Sequence, residues 1–301
     1  MRKNRKNLVK ALVLLCVLVL LVWCLFYLIP SFVKKTPTET GQNGQTETVS
    51  ETEQEADSNT TEEENEAYKK LMTDGFKNFN GNLSYSLHVY GSGSASLNDS
   101  APMKSASVIK LFIMEYAYSL MESGELKSDA VISGRSLSSL LESMITISDN
   151  TATNILIDYF TMEKVNAFIQ SQGYTETKLQ RRMLDTAAAS RGEENYTSAR
   201  DVMKFLDKLY AKKDSYPYHD MLAIMKRQQV STKLRRNMPA GVEMASKTGE
   251  LSDTENDVAI VFTPEGDYAI CCLTGGGSAP VARDAMANLC KRIYDTLQKG
   301  A

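Results

Sequence analysis

The period of the hydrophobic pattern changes twice along this chain, from two residues to 3.6 and back, and that order restricts the fold more than any single motif. Leu83, Tyr85, Leu87 and Val89 alternate with Ser84, Ser86, His88 and Tyr90 up to the Gly-Ser-Gly-Ser of residues 91–94, the pattern of a strand entering a hairpin. Helical spacing then takes over: Val108, Leu111, Phe112, Met114, Tyr118 and Met121 share one face until Gly124, so a helix opens near Ser107. Leu137, Leu140, Leu141, Met144 and Ile145 predict a second helix, and Ile155–Phe160 and Val165–Ile169 two more. Ser198 with Asp201 makes a capping box before Val202, Phe205, Leu206 and Leu209. After Gly241 the period of two returns in Val242–Glu250, Val258–Phe262 and Tyr268–Leu273, and a last helix starts at about Ala282. Strands therefore sit at both ends and helices in the middle, without the strand-helix-strand alternation that builds a parallel sheet. The expected class is α+β: an antiparallel sheet assembled from both ends, a helical insertion over about 124–236, and a cleft between the two parts where a site belongs.

The N-terminus speaks to location. Residues 8–29 are apolar apart from Lys10, long enough to cross a bilayer, and lack the short core and small-residue exit of a cleaved signal. Arg2, Lys3, Arg5 and Lys6 before this run, with Lys10 at its start, outnumber Lys34 and Lys35 after it, which keeps the N-terminus cytoplasmic. Lipid attachment at Cys16 or Cys24 is the weaker reading, because Leu and Trp precede them. Residues 36–67 hold ten acidic side chains and no basic one, with almost nothing large and apolar, the composition of a self-repelling tether. The expected organisation is a basic segment at 1–7, a single-pass anchor at 8–29, an acidic disordered linker at 30–67, and one extracytoplasmic domain at 68–301 of a cell-membrane protein.

With the basic head and acidic linker set aside, the domain is neutral, which argues against a nucleic-acid partner. Two histidines, no HExxH and no paired CxxC leave no metal centre to propose, and no GxSxG elbow supports a Ser-His-Asp hydrolase. His88 reads as a satisfied surface side chain. Cys271 and Cys272 point to opposite faces of one strand and read as small buried hydrophobes, with a bridge from one of them to Cys290 left open. Chemistry in such a chain falls to Ser, Lys, Asp or Glu.

Ser107 and Lys110 stand three apart on one helical face, where an amine kept neutral can take a serine proton and the helix N-terminus favours developing negative charge. Ser148-Asp149-Asn150 falls between two helices, where a helix cap is the plainer explanation of its polar side chains. Lys247-Thr248-Gly249 lies in the first late strand and reads equally as a polar edge. Each alone is weak, but the ordered set is rare.

That set resembles the SxxK, SDN and KTG motifs of the class A β-lactamases and the penicillin-binding proteins, over roughly residues 68–301. The resemblance implies a five-stranded antiparallel sheet flanked by helices beside an all-helical subdomain, and a serine hydrolase needing neither metal nor organic cofactor. It makes Ser107 the residue acylated, Lys110 its base, Ser148 the relay to the leaving nitrogen, and Asn150 the holder of the substrate's side-chain amide. Lys247 and Thr248 would meet the substrate carboxylate, with Gly249 between them and Glu250, whose backbone N–H joins that of Ser107 in an oxyanion hole. The implied partner is a β-lactam or peptidoglycan-like small substrate, and the expected state is a monomer.

Two departures bear on turnover. The ExxLN segment that supplies the deacylating glutamate of class A enzymes corresponds to Arg181-Arg182-Met183-Leu184-Asp185, with arginine in the glutamate's place, and arginine is no base near neutral pH. Asp185 is the candidate for weaker water activation, and Glu193 and Glu194 are expected to clasp Arg181, Arg182 or Arg191. The stretch from Ser107 to Ser148 is short, which implies an open cleft. The sequence thus leads to a membrane-anchored acyl-enzyme former that hydrolyses β-lactams. A low-turnover enzyme of the penicillin-binding type acting on D-alanyl-D-alanine peptides, and a noncatalytic wall-binding or sensing module, stay open as alternatives.

Overall fold

The computed structural model describes residues 51–299. Helix α1 (Glu51–Gly75) leads into the hairpin β1 (Asn82–Val89) and β2 (Ser94–Leu97), and then β3 (Met103–Lys104). A 3-10 turn over Ala106–Ile109 runs into α2 (Lys110–Glu122). The small hairpin β4 (Val131–Ile132) and β5 (Arg135–Ser136) precedes α3 (Leu137–Thr146), α4 (Asn150–Phe160), α5 (Met162–Ser171) and the short α6 (Thr186–Ser190). Strand β6 (Tyr196–Thr197) pairs with β3, and α7 (Ala199–Ala211) and α8 (Tyr218–Lys226) complete the helical part. The chain closes with β7 (Glu243–Leu251), β8 (Thr254–Phe262), β9 (Tyr268–Gly275) and α9 (Ala279–Lys299).

The main sheet has the order β2-β1-β9-β8-β7, every pair antiparallel, so the first hairpin joins the late meander along β1 and β9 as the hydrophobic pattern requires. Its inner strands are buried on both faces, and the pleat sorts their side chains. Val258, Ile260, Ala269, Cys271 and Leu273 join the core under the helical part, while Ala259, Val261, Tyr268, Ile270 and Cys272 join a second core under α1 and α9. All three cysteines of this region are free and buried, so no bridge to Cys290 forms. His88 is satisfied by Asp207, its Nδ1 lying 3.0 Å from the carboxylate.

One boundary departs from the sequence reading. Helix α1 takes in residues 51–67, which their composition assigned to the tether. Glu, Gln and Ala are good helix formers, and acidic residues are favoured in the N-terminal turns of a helix. What holds the helix is its C-terminal end, where Tyr68 and Met72, and Phe76 just past the last turn, recur every fourth residue and are buried against the sheet. The Glu64 carboxylate accepts a 2.7 Å bond from Ser92 Oγ, and Asn65 Oδ1 accepts from the Ser94 N–H at 2.6 Å. The span expected at 8–29 and the rest of the linker lie outside the described residues. Among the described residues no helix is long and apolar enough to cross a membrane.

Candidate active site

Ser107 sits in the 3-10 turn, where three residues make one revolution and side chains at i and i+3 eclipse, so it shares a face with Lys110. The turn is held under strain: Ala106 has φ of +47°, and Asn256 Nδ2 donates to the carbonyls of Lys104 (2.8 Å) and Ser105 (3.2 Å) just before it. Strand β7 passes so close that a Cβ on Gly249 would lie 3.1 Å from the Ser107 nitrogen and 3.0 Å from the Ser105 carbonyl oxygen. Only glycine lets the strand backbone approach the nucleophile's N–H in this way.

Lys110, the first residue of α2, is fully buried. Its Nζ lies 2.8 Å from the Ser148 carbonyl oxygen, 2.8 Å from Asn150 Oδ1 and 3.0 Å from Ser148 Oγ. Burial pushes this amine down to about 7, against an opposing pull from the charge of Asp149. Protonated, the amine has three N–H groups to give to these three acceptors; neutral, it keeps two and gains the lone pair that can take a proton.

Ser148 links α3 to α4 with φ of +57°, and Asp149 is a cap as well, accepting from the Thr151 and Ala152 N–H groups at 2.8 and 3.1 Å. From the opposite side the fully buried Lys247 places Nζ 3.0 Å from Ser148 Oγ and 2.7 Å from the Thr248 carbonyl. Burial first, and then the neighbouring charge of Lys110, hold the Lys247 amine well below the ordinary lysine value. One hydroxyl thus bridges two amines, and the three motifs meet through it. The half-buried Ser107 takes no part in this network: its hydroxyl has no protein hydrogen bond among the described residues, and Lys110 bonds to Ser148 and Asn150 instead.

Sequence reading missed a second buried charge cluster beneath Glu250. Lys233, fully buried, reaches Glu250 Oε1 at 2.6 Å and Glu255 Oε2 at 3.1 Å. Arg283 also binds Glu255, at 2.9 Å from Nε. Burial raises Asp257 to about 6 despite Lys233, the Leu234 N–H and Lys247. Glu250 is partly buried, which pushes its carboxyl up, but its bond to Lys233 and that cation's charge prevail and hold it below the ordinary range. The sequence signal was poor, because Lys233 lies in an irregular connection and β8 opens on polar residues that interrupt alternation.

The loop that carries the arginine is clasped as expected. Arg181 donates from Nε and Nη2 to the two oxygens of Glu194 at 2.8 and 3.0 Å, both residues buried, while Arg191 pairs with Glu193 and Arg182 with Asp158. Asp185 caps α6 through Oδ1, which accepts from the Ala188 N–H at 2.9 Å. It lines a cavity of about 480 Å³ whose walls include neither Ser107, Lys110, Ser148 nor Lys247.

Residues 130–297, more than half the chain, match the sequence model of the Beta-lactamase enzyme family. The chain belongs to that family. As a beta-lactamase family member it is a serine hydrolase of the class A type. No curated protein matches it in sequence. Among solved structures it is similar to the beta-lactamase of Sphaerobacter thermophilus DSM 20745 (TM-score 0.68, 22% identity, 77% of this chain and 97% of that one covered). It is similar also to a beta-lactamase from Chitinophaga pinensis DSM 2588 (TM-score 0.71, 19% identity, 76% and 99% covered). A third likeness is to a PBP-A mutant described as an acyl-enzyme complex with penicillin G (TM-score 0.68, 21% identity, 78% and 97% covered). At these identities the likeness is one of fold, and within that beta-lactamase fold Ser107 lies in the 3-10 turn that runs into α2 at Lys110.

Proposed function

We propose that this protein is a membrane-anchored, extracytoplasmic penicillin-binding enzyme that is acylated by β-lactams on Ser107 and releases the acyl group slowly. One observation carries the reading: Lys110, Ser148 and Lys247 form a continuous amine-hydroxyl-amine chain beside the Ser107 turn, and no carboxylate belongs to it. Ser107 Oγ attacks the lactam carbonyl carbon and its proton passes to the neutral Lys110 amine. The backbone N–H groups of Ser107 and Glu250 hold the developing oxyanion. As the C–N bond breaks, Ser148 Oγ gives its proton to the departing nitrogen and regains one from Lys110, so the proton taken from Ser107 ends on the leaving amine.

Hydrolysis of the ester needs a second base to activate water. Arg181, where the class A glutamate would stand, is bound to Glu194, and one oxygen of Asp185 is occupied in capping α6. Slow release follows, and with it D-alanyl-D-alanine peptides as natural acyl donors rather than fast β-lactam clearance. A noncatalytic module has less support, since two buried amines burden the fold without benefit to a scaffold. The anchor rests on the apolar run at 8–29.

Fluorescent penicillin tests the reading. The full chain, expressed in a bacterial host, is expected to carry label in the membrane fraction, Ser107→Ala to carry none, and a chain lacking residues 1–35 to be labelled in the soluble fraction. Equal labelling of Ser107→Ala would overturn the proposal, and a soluble full chain would overturn the anchor.

A further inference from the structure

The charge cluster beneath β7 decides what an incoming donor meets beside the Ser107 turn. Lys233 and Arg283 are the cations that face Glu250, and both are engaged. Lys233 Nζ lies 2.6 Å from Glu250 Oε1 and 3.1 Å from Glu255 Oε2, and Arg283 Nε donates to Glu255 Oε1 at 2.9 Å. Thr232 Oγ1 adds a 3.5 Å contact to the same oxygen of Glu250. Two cations thus meet two carboxylates. Asp257, buried beside them and ionising at about 6, adds a third carboxylate, whose Oδ1 has no hydrogen bond among the described residues. Burial holds the Lys247 amine well below the ordinary lysine value, and Lys104 closes on Asp253 at 2.7 Å. Not one of these cations is left over for an anion.

Position gives this inventory its consequence. Ser148 Oγ supplies the proton to the leaving group in the reading above, and Lys247 Nζ stands 3.0 Å from that oxygen, so the leaving group departs along Lys247 and Thr248. Side chains two apart on a strand share a face, which sets Thr248 and Glu250 on one side of β7, about 6–7 Å apart along the strand. Thr248 is buried, whereas the Glu250 side chain is nearly half exposed at the rim of that face. A carboxylate on the leaving group would therefore face a second carboxylate whose cation is already held. Like charges at that separation repel, while an amide or ester of the same shape meets no opposing charge.

We propose that Glu250 is a specificity-determining residue that turns the site toward donors whose leaving group is uncharged beside the scissile bond: an amide, an ester or the next residue of a longer chain in place of a free carboxylate. The inference rests on Ser107 being acylated by peptide-like donors, and it keeps that chemistry. Ser107 Oγ bonds to the acyl carbon, the bond from that carbon to the leaving atom breaks, and the Ser107 proton ends on the leaving atom. What changes is the donor, narrowed from D-alanyl peptides in general to those with a masked terminus.

The test uses two thioester donors, N-benzoyl-D-alanyl thioglycolate and the matching thioglycolamide, which differ only in a carboxylate against a carboxamide on the leaving group. The acylation rate of Ser107 is read by intact mass on the full chain. The carboxamide is expected to react about 10-fold faster in the parent protein, and its advantage to shrink from low to high salt as the repulsion is screened. Glu250→Gln frees Lys233 from one of its two carboxylates, so the preference should reverse toward the carboxylate. Glu250→Asp keeps the charge and should keep the parent's preference. Taking the ratio of two donors on one variant cancels any change in the reactivity of Ser107 or in the folded fraction. A parent ratio of one or below, a ratio that Glu250→Gln leaves unmoved, or one that Glu250→Asp moves as far, overturns the assignment. Penicillin adduct without acylation by either thioester overturns it and leaves the penicillin-binding reading standing, whereas no adduct from penicillin or thioesters overturns both.

Discussion

Lys110 and Lys247, carried by a helix and a strand from opposite ends of the domain, each place Nζ 3.0 Å from the same oxygen, Ser148 Oγ. Two ammonium groups sharing one oxygen in a buried site would repel strongly, a repulsion that falls on Lys247, while burial alone brings Lys110 down to about 7 and leaves it largely neutral above that pH. This is the protonation state that a serine nucleophile's base requires.

The rate of acylation should therefore follow the titration of Lys110. A base works only when unprotonated, so the second-order rate is expected to rise as pH increases through about 7 and to level off above it. Stability carries the same signature. The unfolded chain holds the Lys110 proton up to the ordinary value near 10.5 and the folded chain does not, so stability should rise as pH increases from about 7 toward 10.5. Lys110→Met should remove the rate profile and flatten the stability curve; stopped-flow labelling and urea unfolding across pH check the two.

Ser148→Ala removes the hydroxyl that joins the two amines. Acylation should slow by roughly 10² to 10⁴-fold, the usual contribution of a placed proton donor or acceptor, with reversible affinity for the drug changed far less. Separating the binding constant from the acylation rate by stopped flow distinguishes this from a general loss of structure.

At Gly249 the prediction is steric. An alanine Cβ would press on Ser105 O, Ala106 Cβ and Ser107 N at 3.0 to 3.1 Å, all of them parts of the strained turn. Gly249→Ala is expected to cost about 1–3 kcal/mol and to slow acylation by more than stability alone explains. Unfolding and labelling measured on the same preparation decide it.

Arg181 and Glu194 form a buried pair, so removing one partner strands the other charge. Glu194→Gln should lose about 3–5 kcal/mol in chemical unfolding. The same pair predicts that Arg181→Glu alone will not restore turnover, because it would set two carboxylates against each other; a steady-state assay with a chromogenic cephalosporin checks this.

Much of this was readable in the residues. The alternation of Val258 to Phe262 and Tyr268 to Leu273 carried the sheet, and adjacent Cys271 and Cys272 fall in different cores as a period of two demands. Three-residue spacing put Ser107 and Lys110 on one face, and the Glu194 clasp followed from opposite charges in one loop. Spacing could not rank partners, however, and Lys110 bonds to Ser148 and Asn150, not to Ser107. The positive φ of Ser148 has no sequence mark comparable to glycine. Helix α1 was hidden because its polar composition resembles a tether and only Tyr68, Met72 and Phe76 anchor it. Lys233 was hidden because a buried lysine between two glutamates looks, in sequence, like any surface lysine.

The most direct test is a time course of intact mass with penicillin G, before and after removal of free drug. The account predicts one adduct, located on Ser107, that persists after the drug is gone and never forms in Ser107→Ala. An adduct on another residue, no adduct at all, or rapid accumulation of hydrolysed penicillin without any adduct would contradict it.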